Sequence, residues 1–354
     1  MKYTISHLTL AIIVATSLLA GCDRQPEIKG QTYQHSIFTF GTIIDISING
    51  VDELTAEKAF EQLESDFNYM HVTWHPALRN AISRNNQLIA STEWFSDAPA
   101  VRPLLELSAT LSQTSEGLFN PTIGKLIRLW GFNDEEHETG LPPDNEAIKQ
   151  LVNARPDMKD LEFQGIRMRS SNPDVTLNFG ALAKGFGIRK EMQMLADMGI
   201  KNAVINAGGD LEVMGKNGNR PWRIGILHPR KKETVMAYID TQGHESVFTS
   251  GDYERYFTYE GKRYHHIIDP RTGYPATGVQ SVTVIHPDAA VADAAATALF
   301  VAGPKDWHRI ARSMGISYVL LIDENGIVHM NPKMQSRIKF QQQPARLILS
   351  PALP

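Results

Sequence analysis

Six strand-like segments crowd into residues 203–285, and helical patterns bracket them on both sides; no other feature narrows the fold as much. The segments are Ala203–Asn206, Trp222–Leu227, Val235–Ile239, Arg255–Tyr259, Arg263–Ile268 and Ser281–Ile285. Upstream, Thr42–Ile48 reads as a strand, followed by a helix with Thr55 as its cap and Ala56, Ala59, Phe60, Leu63, Phe67 and Met70 on its apolar face. Further helices are expected near Val101–Ser112, Asp144–Val152 and Ala183–Met198, the last stopped by Gly199. Downstream, Ala289–Ala302 and Pro304–Met314 read as helices, and Ser317–Ile322 with Gly326–Met330 as a hairpin. The fold class expected is α+β: a single mixed domain, with two lobes left open, built on a mainly antiparallel sheet with packed helices.

The first residues concern address rather than fold. Lys2 precedes an apolar run, Leu8 to Ala20, too short to span a bilayer core of about 30 Å. It fits a signal peptide over 1–21, ending Leu19-Ala20-Gly21-Cys22, which resembles a bacterial lipobox with Cys22 as the lipidated residue. Cys22 is the single cysteine, so no disulfide forms within the chain. Asp23 resembles the Gram-negative signal for inner-membrane retention, which implies a periplasm-facing lipoprotein if the source is Gram-negative. Residues 22–34 read as a tether, 35–332 as the domain, and 333–354 as a polar, loosely held tail. Loss of Lys2 with the leader takes the formal net charge from −4 to −5. No basic surplus points to nucleic acid, and membrane contact is expected through the anchor alone.

Four segments carry possible chemistry, and each also has an ordinary structural reading. Gly117-Leu118-Phe119-Asn120-Pro121-Thr122-Ile123-Gly124 is a loop that either covers a flat aromatic ligand or plugs the core. Asn178-Phe179-Gly180-Ala181-Leu182-Ala183-Lys184-Gly185 places small residues and a lysine near a helix start, suited to phosphate or to tight packing. Asn206-Ala207-Gly208-Gly209-Asp210 is either a turn or a backbone approach to phosphate or ribose. The fourth joins Thr249-Ser250-Gly251-Asp252-Tyr253 to His266-Ile267-Ile268-Asp269-Pro270-Arg271-Thr272-Gly273 and Ala292-Asp293. Asp293 and Thr297 lie one helical turn apart on a shared face, a spacing suited to a hard cation with oxygen ligands.

Together and in this order, from Phe40-Gly41-Thr42 to about Asp323, these segments resemble the ApbE family, the FAD:protein FMN transferases once described as thiamine-biosynthesis lipoproteins. The resemblance implies an ApbE/T-fold-like architecture. It also implies Mg2+-dependent transfer of FMN from FAD, as substrate, to a Thr or Ser hydroxyl of another protein, with release of AMP. Acceptors in the family include subunits of NADH:quinone reductase and related electron-transfer complexes. Carried over, the metal positions are Ala181, Asp293, Ala296 and Thr297. The flavin-contacting positions are Phe40, Trp74, Leu118, Phe119, Asn120, Asn178, Lys184 and Ile268. Activation of the incoming hydroxyl calls for a base; His266 is the candidate, oriented by Asp269, with Asp269 itself second and Arg271 adding charge.

The sequence departs from the family in places. Asn178 and Asn120 stand where Asp is usual or frequent, Ala181 where many members carry Gly, and Ala296 where some carry an acid. Two other readings remain: an FAD pyrophosphatase giving FMN and AMP, and a flavin-binding lipoprotein without turnover.

Overall fold

A computed structural model describes residues 31–132 and 140–354. The signal segment and Cys22 lie outside the described residues. Among the described residues, no helix is long and apolar enough to cross a membrane.

The chain opens with strands β1 (Thr32–Thr39) and β2 (Thr42–Asn49), then helices α1 (Glu53–Trp74) and α2 (Ala81–Ile89). Next come β3 (Phe95–Ser96), α3 (Arg102–Thr114), α4 (Gly124–Leu129), α5 (Asn145–Asn153), β4 (Leu161–Gln164) and β5 (Arg167–Ser170). Helix α6 (Ala183–Asp197) leads into β6 (Asn202–Ala207), β7 (Asp210–Met214), β8 (Arg223–Leu227), β9 (Val235–Asp240) and β10 (Glu245–Gly251). The hairpin β11 (Tyr256–Tyr259) and β12 (Lys262–His265) precedes β13 (Val279–His286) and α7 (Ala289–Ser313). The chain closes with β14 (Tyr318–Asp323), β15 (Val328–Met330), α8 (Pro332–Arg337), β16 (Lys339–Phe340) and β17 (Leu347–Leu349).

Nine strands form one sheet in the order β1-β2-β6-β7-β10-β13-β14-β15-β17. Its pairs are antiparallel except β15 with β17. The expected α+β class with a mainly antiparallel sheet is what the structure shows. On one face, Ile44, Ile46 and Ile205 pack with Leu63 and Phe67 of α1, Ile188 and Met192 of α6, and Leu299 and Phe300 of α7. On the other, Leu211, Val213, Val247, Ile285 and Leu320 meet the small sheet β16-β9-β8 and Met334 of α8. A third apolar cluster sits to the side, where Trp130 and Phe132 pack with Ile148 and Ile268.

Local physics explains most boundaries. The cap of α1 is Asp52, which accepts from the Thr55 amide at 2.9 Å; Thr55, the expected cap, lies inside the helix. Gly199 adopts φ 83 just beyond α6, the left-handed conformation that glycine adopts without a Cβ penalty. The two helices expected around Gly303 run almost end to end as α7, broken at Gly303 with φ 73 and ψ 179 before Pro304.

Two expectations about the ends of the domain are corrected. Residues 32–34, read as the end of the tether, already pair with β2. The tail is not loose: Met334 is fully buried, Leu353 is nearly so, and β16 and β17 pair with β9 and β15. Single apolar anchors and main-chain pairing hold it, neither of which its polar composition signals.

Candidate active site

The site forms where α6 starts, at its crossing with α7. Gly185 makes the crossing possible. A Cβ there would stand 2.4 Å from the Ala289 carbonyl oxygen and 2.7 Å from the Asp293 Cβ. With no side chain, the Gly185 amide donates to Asp293 Oδ2 at 2.9 Å. In a regular helix that amide would serve the carbonyl of Ala181, four residues back, as Phe186 serves Leu182 at 2.9 Å. The Ala181 carbonyl is therefore spared its usual helical partner.

The turn before α6 is fixed by Asn178. Its amide donates to the Pro121 carbonyl at 2.8 Å, and its Oδ1 accepts from Gly180 at 2.9 Å. This joins the loop of Leu118, Phe119 and Asn120 to the helix start. Asn120 ties its loop to a distant segment, donating to Pro156 O at 2.9 Å and accepting from the Thr122 amide at 3.0 Å. Phe119 is buried in the main core at 2% exposure, with Leu118 beside it. Trp74 meets Phe186 edge-on at 5.6 Å between centroids and donates from Nε1 to Ala100 O at 3.0 Å. Phe40, at the β1–β2 turn with φ 53, touches Phe67 and His71 edge-on. Ile268 lies in the separate cluster with Trp130.

Lys184 pairs with Asp210, whose other oxygen accepts from the Thr249 amide at 2.9 Å. Gly208 (φ 67) and Gly209 (φ 106) turn β6 into β7 and so deliver Asp210. The segment is a turn, and it also sets the partner of Lys184. Thr297 Oγ1 lies 3.2 Å from Ser250 Oγ, while Ala296, on the next helix position, is buried.

Charge is concentrated here. Burial works against the Lys184 ammonium, yet Asp210, Glu254 and Asp293 outweigh it and hold its pKa above the ordinary value. The carboxyl of Asp293 is pushed up, by burial first and then by Asp210. Glu254 is pushed up as well, by burial first and, against Lys184 and Arg255, by Asp210 and Asp293, although its side chain is about one-third exposed. Carboxyl groups crowded in this way gain from a further cation, whose binding would favour their ionised forms. Among the described residues no cluster of three or more His, Cys, Asp or Glu side chains could hold a metal by itself. The donors present are hard oxygens: the Asp293 carboxylate, the Thr297 hydroxyl and the Ala181 carbonyl. They suit Mg2+ provided a ligand's phosphate oxygens complete the shell.

The expectation that Asp269 orients His266 is corrected. Asp269 binds Arg271 through both oxygens, with contacts of 2.9 and 2.8 Å, and Arg271 also donates to Val301 O at 3.0 Å. The Asp-Pro-Arg turn closes on itself because its carboxylate and guanidinium lie two residues apart. His266 Nδ1 instead faces the Arg255 carbonyl at 3.3 Å, and its Nε2 lies 3.9 Å from Glu254. Burial, and then Arg255, hold the imidazole pKa well below its usual value. Asp210 and Glu254 were not among the candidates from sequence. Asp210 ends one glycine-containing segment and Glu254 follows another, but only the folded chain shows where their side chains go.

Known proteins resemble this chain along most of its length. Residues 40–320 match the model of the ApbE family. The FAD:protein FMN transferase of Rhodobacter capsulatus is 38% identical over 92% of this chain, which spans 62% of that longer protein. That of Klebsiella pneumoniae (strain 342) is 31% identical, over 89% of this chain and 92% of its own length. Among solved structures, the ApbE protein of Thermotoga maritima superposes with a TM-score of 0.79 at 31% identity, covering 88% of this chain and all of that one. The flavin transferase ApbE of Vibrio cholerae gives 0.75 at 26% identity, over 87% and 99%.

Proposed function

This chain belongs to the ApbE family and is an enzyme of the FAD:protein FMN transferase kind, and we propose that it moves the FMN half of FAD onto a Thr or Ser hydroxyl of an acceptor protein, releasing AMP. The observation that carries this reading is the crossing at Gly185. There Asp293 and Thr297 face a helix start that bears Lys184, with the Ala181 carbonyl freed beside them.

Phosphoryl transfer needs in-line placement and neutralisation of charge more than covalent help. Asp293, Thr297 and the Ala181 carbonyl would hold Mg2+, which supplies charge neutralisation at the pyrophosphate. Lys184, fully protonated, adds a fixed positive charge to the same side. Asn178 and the loop at Leu118 and Phe119 bound the space where the flavin ring would lie. Asn in place of the family's usual Asp at 178 keeps the turn to Gly180 and removes one negative charge. His266, neutral near pH 7, is the base that accepts the hydroxyl proton.

The acceptors we propose are periplasm-facing subunits of NADH:quinone reductase or related electron-transfer complexes. The enzyme itself would be a lipoprotein held at the inner membrane through Cys22, with the membrane contacted through that lipid alone.

The decisive experiment incubates the protein with FAD, MgCl2 and a candidate acceptor subunit, then weighs the acceptor by mass spectrometry. The acceptor should gain the mass of FMN less water, and Asp293→Ala should slow that gain by about 100-fold or more. Release of FMN and AMP without any gain in acceptor mass would make the chain a pyrophosphatase. FAD left intact would make it a binding protein.

A further inference from the structure

Glu254 and His266 stand at the two feet of the β11–β12 hairpin. The chain leaves the sheet after β10, passes Tyr253 and Glu254, runs through the two strands, and returns at His266. The His266 amide donates to Arg255 O at 3.1 Å and so ties the feet together. A carbonyl can only accept, so the 3.3 Å contact between Nδ1 and Arg255 O puts the ring proton on Nδ1. Nε2 then carries the lone pair, and the carboxylate beside it, at 3.9 Å, is Glu254. Asp269, three residues along, is bound to Arg271.

We propose that Glu254 acts through His266, whose ring the Arg255 carbonyl holds at Nδ1, by giving Nε2 a counter-charge when it takes the acceptor's proton. The inference rests on the transferase reading above. The step balances as follows. The hydroxyl proton of the acceptor passes to Nε2, and its oxygen forms the bond to the phosphorus of the FMN half. The bridging P–O bond breaks, and AMP leaves with that electron pair.

Position and charge both support the assignment. Glu254 is also close enough to Lys184, Asp210 and Asp293 to feel their charges, which ties the hairpin's foot to the rest of the site. The distance exceeds a hydrogen bond, as expected while Nε2 holds a lone pair and the carboxylate can only accept; the attraction arises once Nε2 has taken the proton. Burial and Arg255 lower the ring's proton affinity, so the imidazolium formed on proton transfer needs an anion beside it, and Glu254 stands at 3.9 Å from Nε2.

The test is a mutant cycle on the full chain, with acceptor flavinylation as the rate and FAD binding followed by fluorescence. Glu254→Gln should lower kcat about 10- to 100-fold and leave the KM for FAD within about twofold. Glu254→Asp, which keeps the charge, should recover part of the rate. In a His266→Ala background Glu254→Gln should add nothing, because its effect passes through the ring. Wild-type rate in Glu254→Gln, a loss confined to KM, or the same fold loss with and without His266 would each overturn the assignment. A wild-type protein that flavinylates no acceptor would overturn the transferase reading, and this inference with it.

Discussion

At the start of α6 the buried charges have partners: Lys184 has Asp210, and Asp293 has the Gly185 amide. Two turns further along the same helix, Glu191 is 2% exposed and its Oε2 meets no hydrogen-bond partner. Glu212 of β7, 1% exposed, is similar: one oxygen meets His244 and the other meets nothing. Both glutamates line a cleft of about 650 Å³ that also includes Arg189 and Asp288. Burying charge does not distinguish a site, since both regions do it. The first region converts its charges into fixed geometry, with donors and acceptors matched across two helices. In the second, the carboxyls remain protonatable, and their cost falls on stability instead.

The first region breaks most sharply at Gly185. Gly185→Ala places a methyl group within 2.4 Å of backbone that has no room to yield. The helices must separate, which overpacking data put at about 1–3 kcal/mol. Asp293 moves with α7, so transfer should fall by about 100-fold or more, since a misplacement near 1 Å costs that much. Calorimetry and the acceptor mass assay together check it; a variant with wild-type rate would show that the crossing does not set the site. The next effect is smaller. Lys184→Met leaves Asp210, Glu254 and Asp293 without their ammonium, and the rate should fall about 10- to 100-fold. Added MgCl2 should recover part of this loss, because a second cation relieves the same carboxylates. A loss that MgCl2 leaves unchanged would place Lys184 on the substrate rather than on the charge balance.

Much of the first region was legible in sequence because its signals are local. Asp293 and Thr297 share a helix face by periodicity alone, and Lys184 stands beside glycines at a helix start. Asp210 and Glu254 were not legible. Their side chains reach the site through the pairing of β7 with β10 and at the feet of the β11–β12 hairpin; the hairpin's strands read locally, but what its feet face is set by residues far along the chain. The Asp269–Arg271 closure misled for the opposite reason. Six residues held an imidazole, a carboxylate and a guanidinium, and proximity along the chain looked like a cluster. The turn geometry instead folds the carboxylate onto its near neighbour, away from the ring. Strand β10 escaped notice because Val247 packs on one face of the sheet and Phe248 on the other, which erases the alternation that marks a half-buried strand. The tail shows the same limit, for Met334, Ile338 and Leu353 have no period to reveal them.

The smallest effect concerns the second region and is read in stability rather than rate. Burial, and then Asp66, push the Glu191 carboxyl up from 4.5 to about 8. Between those values the folded protein holds a proton that the unfolded chain releases. Stability therefore falls as pH rises from about 4.5 to about 8, the sign expected when the folded pKa is the higher one. Glu191→Gln keeps the shape and removes the titration. Its stability should match the wild type near pH 4.5 and exceed it at pH 9 by on the order of 2 kcal/mol, a gain of a few degrees in Tm. Flavin transfer should change little, because Glu191 lies two helical turns from Lys184. Parallel Tm curves for the two proteins across pH 4.5 to 9 would mean that Glu191 finds a partner in solution, and the contrast between the two stretches of α6 would then disappear.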